Sequence, residues 1–69
     1  MIVVTDYGTV PVPERMLTWL RTKYPDSDQY QRASGHMKRR RQYKRWARDV
    51  ERIEASLMLG AEITWWEGA

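Results

Sequence analysis

Apolar positions recur with two different periods along this chain, and the change of period divides it into elements. Near the N-terminus Ile2, Val3, Val4 and Thr5 form a β-branched run. Asp6-Tyr7-Gly8 is a turn signal, and a second short run follows at Thr9-Val10-Pro11-Val12. This pattern predicts a β-hairpin. Pro11 lacks a ladder donor, so its strand belongs at a sheet edge. Pro13 suits the first position of a helix and Glu14 suits the positive end of its dipole. Met16, Leu17, Leu20 and Tyr24 then recur at helical spacing until Pro25 ends the run. Asp26, Ser27 and Asp28 read as caps, Asp28 to Ser34 as a short helical turn, and Gly35 as its terminator.

From Met37 to Leu59 the chain predicts one long helix, free of Gly and Pro and rich in good helix formers. Tyr43, Trp46, Ala47, Val50, Ile53 and Leu57 fall on one stripe, the face expected to be buried. Arg41, Arg45, Arg48 and Arg52 fall on the opposite stripe, flanked by Lys38 and Lys44. Gly60 is the natural stop. Glu62-Ile63-Thr64-Trp65-Trp66-Glu67 then reads as a strand whose side chains alternate between two faces. The expected fold is α+β: a small three-stranded antiparallel sheet, built from the N-terminal hairpin and the C-terminal strand. A short helix and one long basic amphipathic helix pack on it, and residues 1–69 form a single compact domain. The helical pattern runs through Gly35-His36-Met37, a tripeptide that cleaved affinity tags also leave behind.

Composition sharpens this picture. At 69 residues the core must rest on a few large side chains, and the four Trp and four Tyr, with no Phe, all carry a polar tip. The absence of cysteine excludes disulfides, thiolate metal sites and cysteine nucleophiles. No apolar stretch reaches the length of a membrane span and no secretory pattern opens the chain, so a soluble protein of the cytoplasm is expected.

The net charge of +3 hides a strong segregation: residues 36–48 carry seven basic side chains and no acidic one, whereas residues 49–69 carry one basic and five acidic. Arg45 with Asp49, Arg48 with Glu51, and Asp49 with Arg52 stand at helical pairing distance. Nothing comparable is in place for Lys38, Arg39, Arg40, Arg41 and Lys44. Four consecutive cations near a helix N-terminus also oppose the dipole, and local rules tend to be broken where a surface has a task. The candidate binding residues are therefore Lys38, Arg39, Arg40, Arg41, Lys44, Arg45, Arg48 and Arg52. Trp66 and Trp19 are the candidate aromatic anchors, since Trp and Arg dominate binding hot spots.

Catalytic chemistry finds no footing: there is no Ser-His-Asp set, no phosphate-binding glycine loop and no histidine-glutamate zinc motif. Asp26 and Asp28 read as caps rather than paired carboxylates. His36 has neither a cysteine nor a second histidine to join it around a metal. The expectation is a non-enzymatic binding protein with no cofactor, metal or small-molecule substrate.

A short cysteine-free chain, dense use of Trp and Arg, and an α+β reading over the whole length resemble the small accessory proteins of bacteriophages, some of which bind host RNA polymerase. The resemblance is one of type and carries no residue role. It implies a regulator in the host cytoplasm that docks on the transcription machinery, with Arg41, Arg45 and Arg48 steering and Trp66 or Trp19 anchoring. Direct DNA or RNA binding by the same helix is the alternative. A third reading is an inhibitor of a host defence complex or a small structural phage protein, in which the helix meets an acidic groove.

Overall fold

The computed structural model describes residues 1–59, in the order β1 (Ile2–Thr5), β2 (Gly8–Pro11), α1 (Glu14–Lys23), α2 (Ser27–Tyr30), α3 (Gly35–Lys38) and α4 (Arg41–Leu59). Strands β1 and β2 pair antiparallel with Ile2 opposite Pro11, Val3 opposite Val10 and Thr5 opposite Gly8, leaving Asp6-Tyr7 as a two-residue turn. Thr5 Oγ1 accepts from the Tyr7 amide at 3.1 Å, and Gly8 adopts a φ of 130°, which a side chain would strain. Alternation sends Val3 and Val10 into the core and leaves Ile2 and Val4 outside. The expected sheet of three strands is corrected: among the described residues it has two, each an edge, which is where Pro11 can sit. The segment 62–67, expected as the third strand, lies outside the described residues.

Helix α1 starts one residue later than expected. Pro13 is its N-cap, in extended conformation, and accepts the first helical bond from the Leu17 amide at 2.9 Å. Leu17 and Leu20 turn into the core, and Tyr24 leaves helical geometry just before Pro25, whose ring crowds a helical predecessor. The turn expected over Asp28–Ser34 is shorter and earlier, at Ser27–Tyr30. Gly35 opens α3 rather than closing this turn, because the Ser34 side chain caps α3 by accepting from the Met37 amide at 3.3 Å.

The single helix expected over Met37–Leu59 is therefore two helices. The Arg39 and Arg40 amides bond back by three residues, to His36 and Met37, and this tightening ends α3 before α4 begins at Arg41. The break changes the electrostatics. Lys38 now stands in the last turn of α3, where the dipole favours a cation, and only Arg41 and Lys44 remain in the unfavourable first turn of α4.

The buried face of α4 carries Tyr43, Trp46, Ala47, Val50 and Ile53 as expected, but Leu57 is 41% exposed, whereas Ser56 is 3% exposed. Ser56 satisfies its hydroxyl on the Arg52 carbonyl at 2.7 Å. Val3, Val10, Val12, Leu17 and Leu20 join this stripe in one cluster. At its centre the rings of Tyr30, Tyr43 and Trp46 stand 5.4 to 5.8 Å apart, and the indole N–H of Trp46 donates to Ser27 Oγ at 2.9 Å, wholly buried. No helix among the described residues is long and apolar enough to cross a membrane.

The Ser27 bond has a measurable consequence. Ser27→Ala leaves the Trp46 N–H dry and unpaired, and is expected to lower unfolding free energy by about 1–3 kcal/mol. Chemical denaturation checks this; an unchanged midpoint would show that the indole finds another acceptor.

Candidate functional site

Asp49 is the first carboxylate after the basic run, and the fold turns it inward. It lies three residues after Trp46 and four before Ile53, on the margin of the buried stripe, and its side chain is 8% exposed. Oδ2 accepts from the Tyr24 hydroxyl at 2.5 Å and from Lys23 Nζ at 3.0 Å, tying the end of α1 to the middle of α4. Arg52 Nη1 stands 3.8 Å from Oδ1. Burial, then the Asp49 hydrogen bond, then the Asp49 charge push the Tyr24 phenol well above its ordinary range.

Among the described residues, that placement leaves most of the outer cations without an ion-paired acid. Of the three helical pairs expected, only Asp49 with Arg52 forms; Arg45 and Arg48 make no ion pair among the described residues. Lys38 is a second correction: its Nζ lies 3.2 Å from Asp6 Oδ1, so it fastens α3 to the hairpin turn. Arg39 and Arg40 lie exposed at the junction of α3 and α4. Arg41, Lys44, Arg45 and Arg48 lie exposed on α4 itself, with Arg41 to Arg48 spanning about 10 Å of axis. Six of the eight predicted cations thus lie exposed from the α3–α4 junction to the middle of α4, with Arg52 exposed one turn further on.

The aromatic candidates stand differently. Trp19 is half-buried against the core on α1, with Lys23 Nζ 4.9 Å from its ring centroid. Trp66 lies outside the described residues, as does Trp65. The exposed large apolar side chains of the described residues are Met1, Ile2, Val4 and Tyr7 on the hairpin and Leu57, Met58 and Leu59 at the end of α4. None stands among the arginines.

Two open grooves border the basic face, one on each side of Gln42. The first, of about 440 Å³, runs between the end of α1 and α4 and is lined by Lys23, Tyr24, Pro25, Arg45, Arg48 and Asp49 together with Gln42. The second, of about 400 Å³, is lined by Asp26, Gln29, Tyr30, Met37, Arg40 and Arg41, again with Gln42. Gln42 Oε1 accepts from the Tyr30 hydroxyl at 3.3 Å, which leaves its amide N–H groups as donors. Gln42 and Lys23 did not stand out in the sequence, and Tyr24 stood out only as part of the apolar face of the first helix. Only Asp49 carried a signal, its helical spacing to Trp46 and Ile53.

His36 is exposed on α3, and among the described residues no three His, Cys, Asp or Glu side chains are grouped to hold a metal. Compared with family models, curated proteins and solved structures, the chain finds no match.

The Tyr24 environment predicts an alkaline limit to stability. The folded state keeps the phenolic proton where an unfolded tyrosine, with its ordinary value of 10.0, has lost it. The stabilisation is complete below pH 10.0 and falls away as pH rises from there toward the folded value. Burial raises Tyr30 and Tyr43 in the same direction. Thermal melts across this range are expected to decline with pH, and less steeply in Tyr24→Phe; an equal decline in both proteins would remove Tyr24 from the account.

Proposed function

We propose that this chain is a small non-enzymatic binding protein that meets the phosphate backbone of a nucleic acid with the arginine face of α4. The observation that carries the reading is the composition of that face. Arg39, Arg40, Arg41, Lys44, Arg45 and Arg48 are all exposed, and among the described residues no carboxylate forms an ion pair with them and no large apolar side chain is exposed between them. Stable protein interfaces depend on a desolvated aromatic or aliphatic centre ringed by polar groups. Phosphate binding needs no such centre: its free energy comes from counterions released as each cation replaces them. Arginine suits this use because its planar fork matches phosphate oxygens two at a time and never loses its charge.

A second reading, docking on an acidic surface of the transcription machinery such as RNA polymerase, draws support from Trp19. Its half-buried ring lies beside Lys23, a residue that lines the first groove, whereas Trp46, the other indole of the described residues, is wholly buried. In this reading the arginines steer and the indole holds.

Salt dependence separates the two. Binding of a labelled oligonucleotide by the isolated protein is expected at low salt, with log affinity falling against log salt by about 0.7 to 0.9 per phosphate contacted. Replacing Arg40, Arg41, Arg45 and Arg48 together by glutamine is expected to reduce that slope by about 3 and to leave the melting temperature unchanged. An absence of nucleic-acid binding at low salt, with tight and weakly salt-dependent binding to purified RNA polymerase that Trp19→Ala abolishes, would instead establish docking.

A further inference from the structure

We infer that the nucleic acid this face takes is single-stranded, with one unstacked base seated in each of the two grooves that flank Gln42. The inference rests on the nucleic-acid reading above and adds the form of the strand. A duplex presents its phosphates to a ridge of donors and shows no free base, so it has no use for concave, mixed lining. These grooves have both. The first is lined by Arg45 and Arg48 together with Tyr24 and Gln42, its Asp49 carboxylate being already engaged by Tyr24 and Lys23, and the second is lined by Arg40 and Arg41 together with Asp26. A carboxylate repels phosphate but accepts from the amino group of a base, and a guanidinium plane is a surface on which a base stacks.

Spacing points the same way. Arg41 of the second groove and the midpoint of Arg45 and Arg48 in the first stand between five and six residues apart on α4, about 8 Å along its axis. Bases in a stacked helix rise by about 3.4 Å, so neighbouring bases that fill both grooves must be splayed apart, which single strands permit and duplexes do not. Volumes of about 440 and 400 Å³ lie within the range that holds small ligands. Gln42, shared by both grooves and exposed, accepts from the Tyr30 hydroxyl with its carbonyl and keeps two amide N–H donors to offer to either base edge or to the phosphate between them.

The test is fluorescence anisotropy with labelled pyrimidine-rich single strands, as RNA and as DNA, against duplexes of the same length, at one low salt concentration. The single strand, on at least one of the two sugars, is expected to bind about tenfold more tightly than duplex, the worth of one seated base. Gln42→Met is expected to weaken the single-strand complex about threefold or more while leaving duplex affinity and the salt slope unchanged, because glutamine adds no charge. Duplex binding as tight as single-strand binding would overturn the inference while leaving the nucleic-acid reading intact. So would a Gln42→Met protein that melts normally and binds single strands as the parent does. Binding to neither form at low salt would sink both.

Discussion

The buried carboxylate of Asp49 ties α4 to the end of α1, and the exposed cationic side of α4 is arranged around that engagement. Its position after seven cations and no acid makes it the first counter-charge available to the arginines, yet it is turned between α4 and α1 and engaged there by Tyr24 and Lys23. A buried carboxylate without partners costs several kcal/mol, so the pairing with a phenol and an ammonium is a condition of the fold rather than an ornament. Lys23 is itself half exposed and keeps part of its hydration, which lowers the desolvation the pair must overcome. With Asp49 engaged inside, Arg45 does not pair with it, and neither Arg45 nor Arg48 makes an ion pair among the described residues.

A second constraint acts through Trp46. Its indole fills the centre of the core, and its N–H must be satisfied away from water, which fixes Ser27 and hence the short helix α2 against α4. Tyr30 leaves that helix toward Tyr43 and Trp46, and its hydroxyl orients Gln42. The two grooves are by-products of this packing. They form where the segment from Lys23 to Tyr30 crosses α4, because the side chains that hold the crossing together point inward and leave open space at its rim. Core and candidate site thus share residues, and the site is positioned by the same contacts that make the protein fold.

Much of the framework was legible in the residue pattern. The β-branched run and the Gly8 turn mark the hairpin, Pro13 and Pro25 bracket α1, and the apolar spacing from Tyr43 to Ile53 marks the buried face of α4. The helix break at Arg39 and Arg40 was not legible, because no glycine or proline marks it; it follows from Ser34 capping a separate turn. Leu57 was misjudged since periodicity assumes that a neighbour covers the helix along its whole length. The cationic face was visible as a run of charge. That Asp49 does not pair with Arg45 was not, because the partners of Asp49 come from a helix about 25 residues earlier in the chain.

Whether that cationic face is where the molecule meets its ligand is most directly read from the arginine side-chain Nε–H resonances, followed by NMR as a single-stranded oligonucleotide is added. The account predicts shifts concentrated at Arg40, Arg41, Arg45 and Arg48, with Arg15 and Arg21 on α1 and the amides of the hairpin unmoved. Shifts centred on the exposed hairpin face around Ile2, Val4 and Tyr7, with the α4 arginines silent, would contradict it.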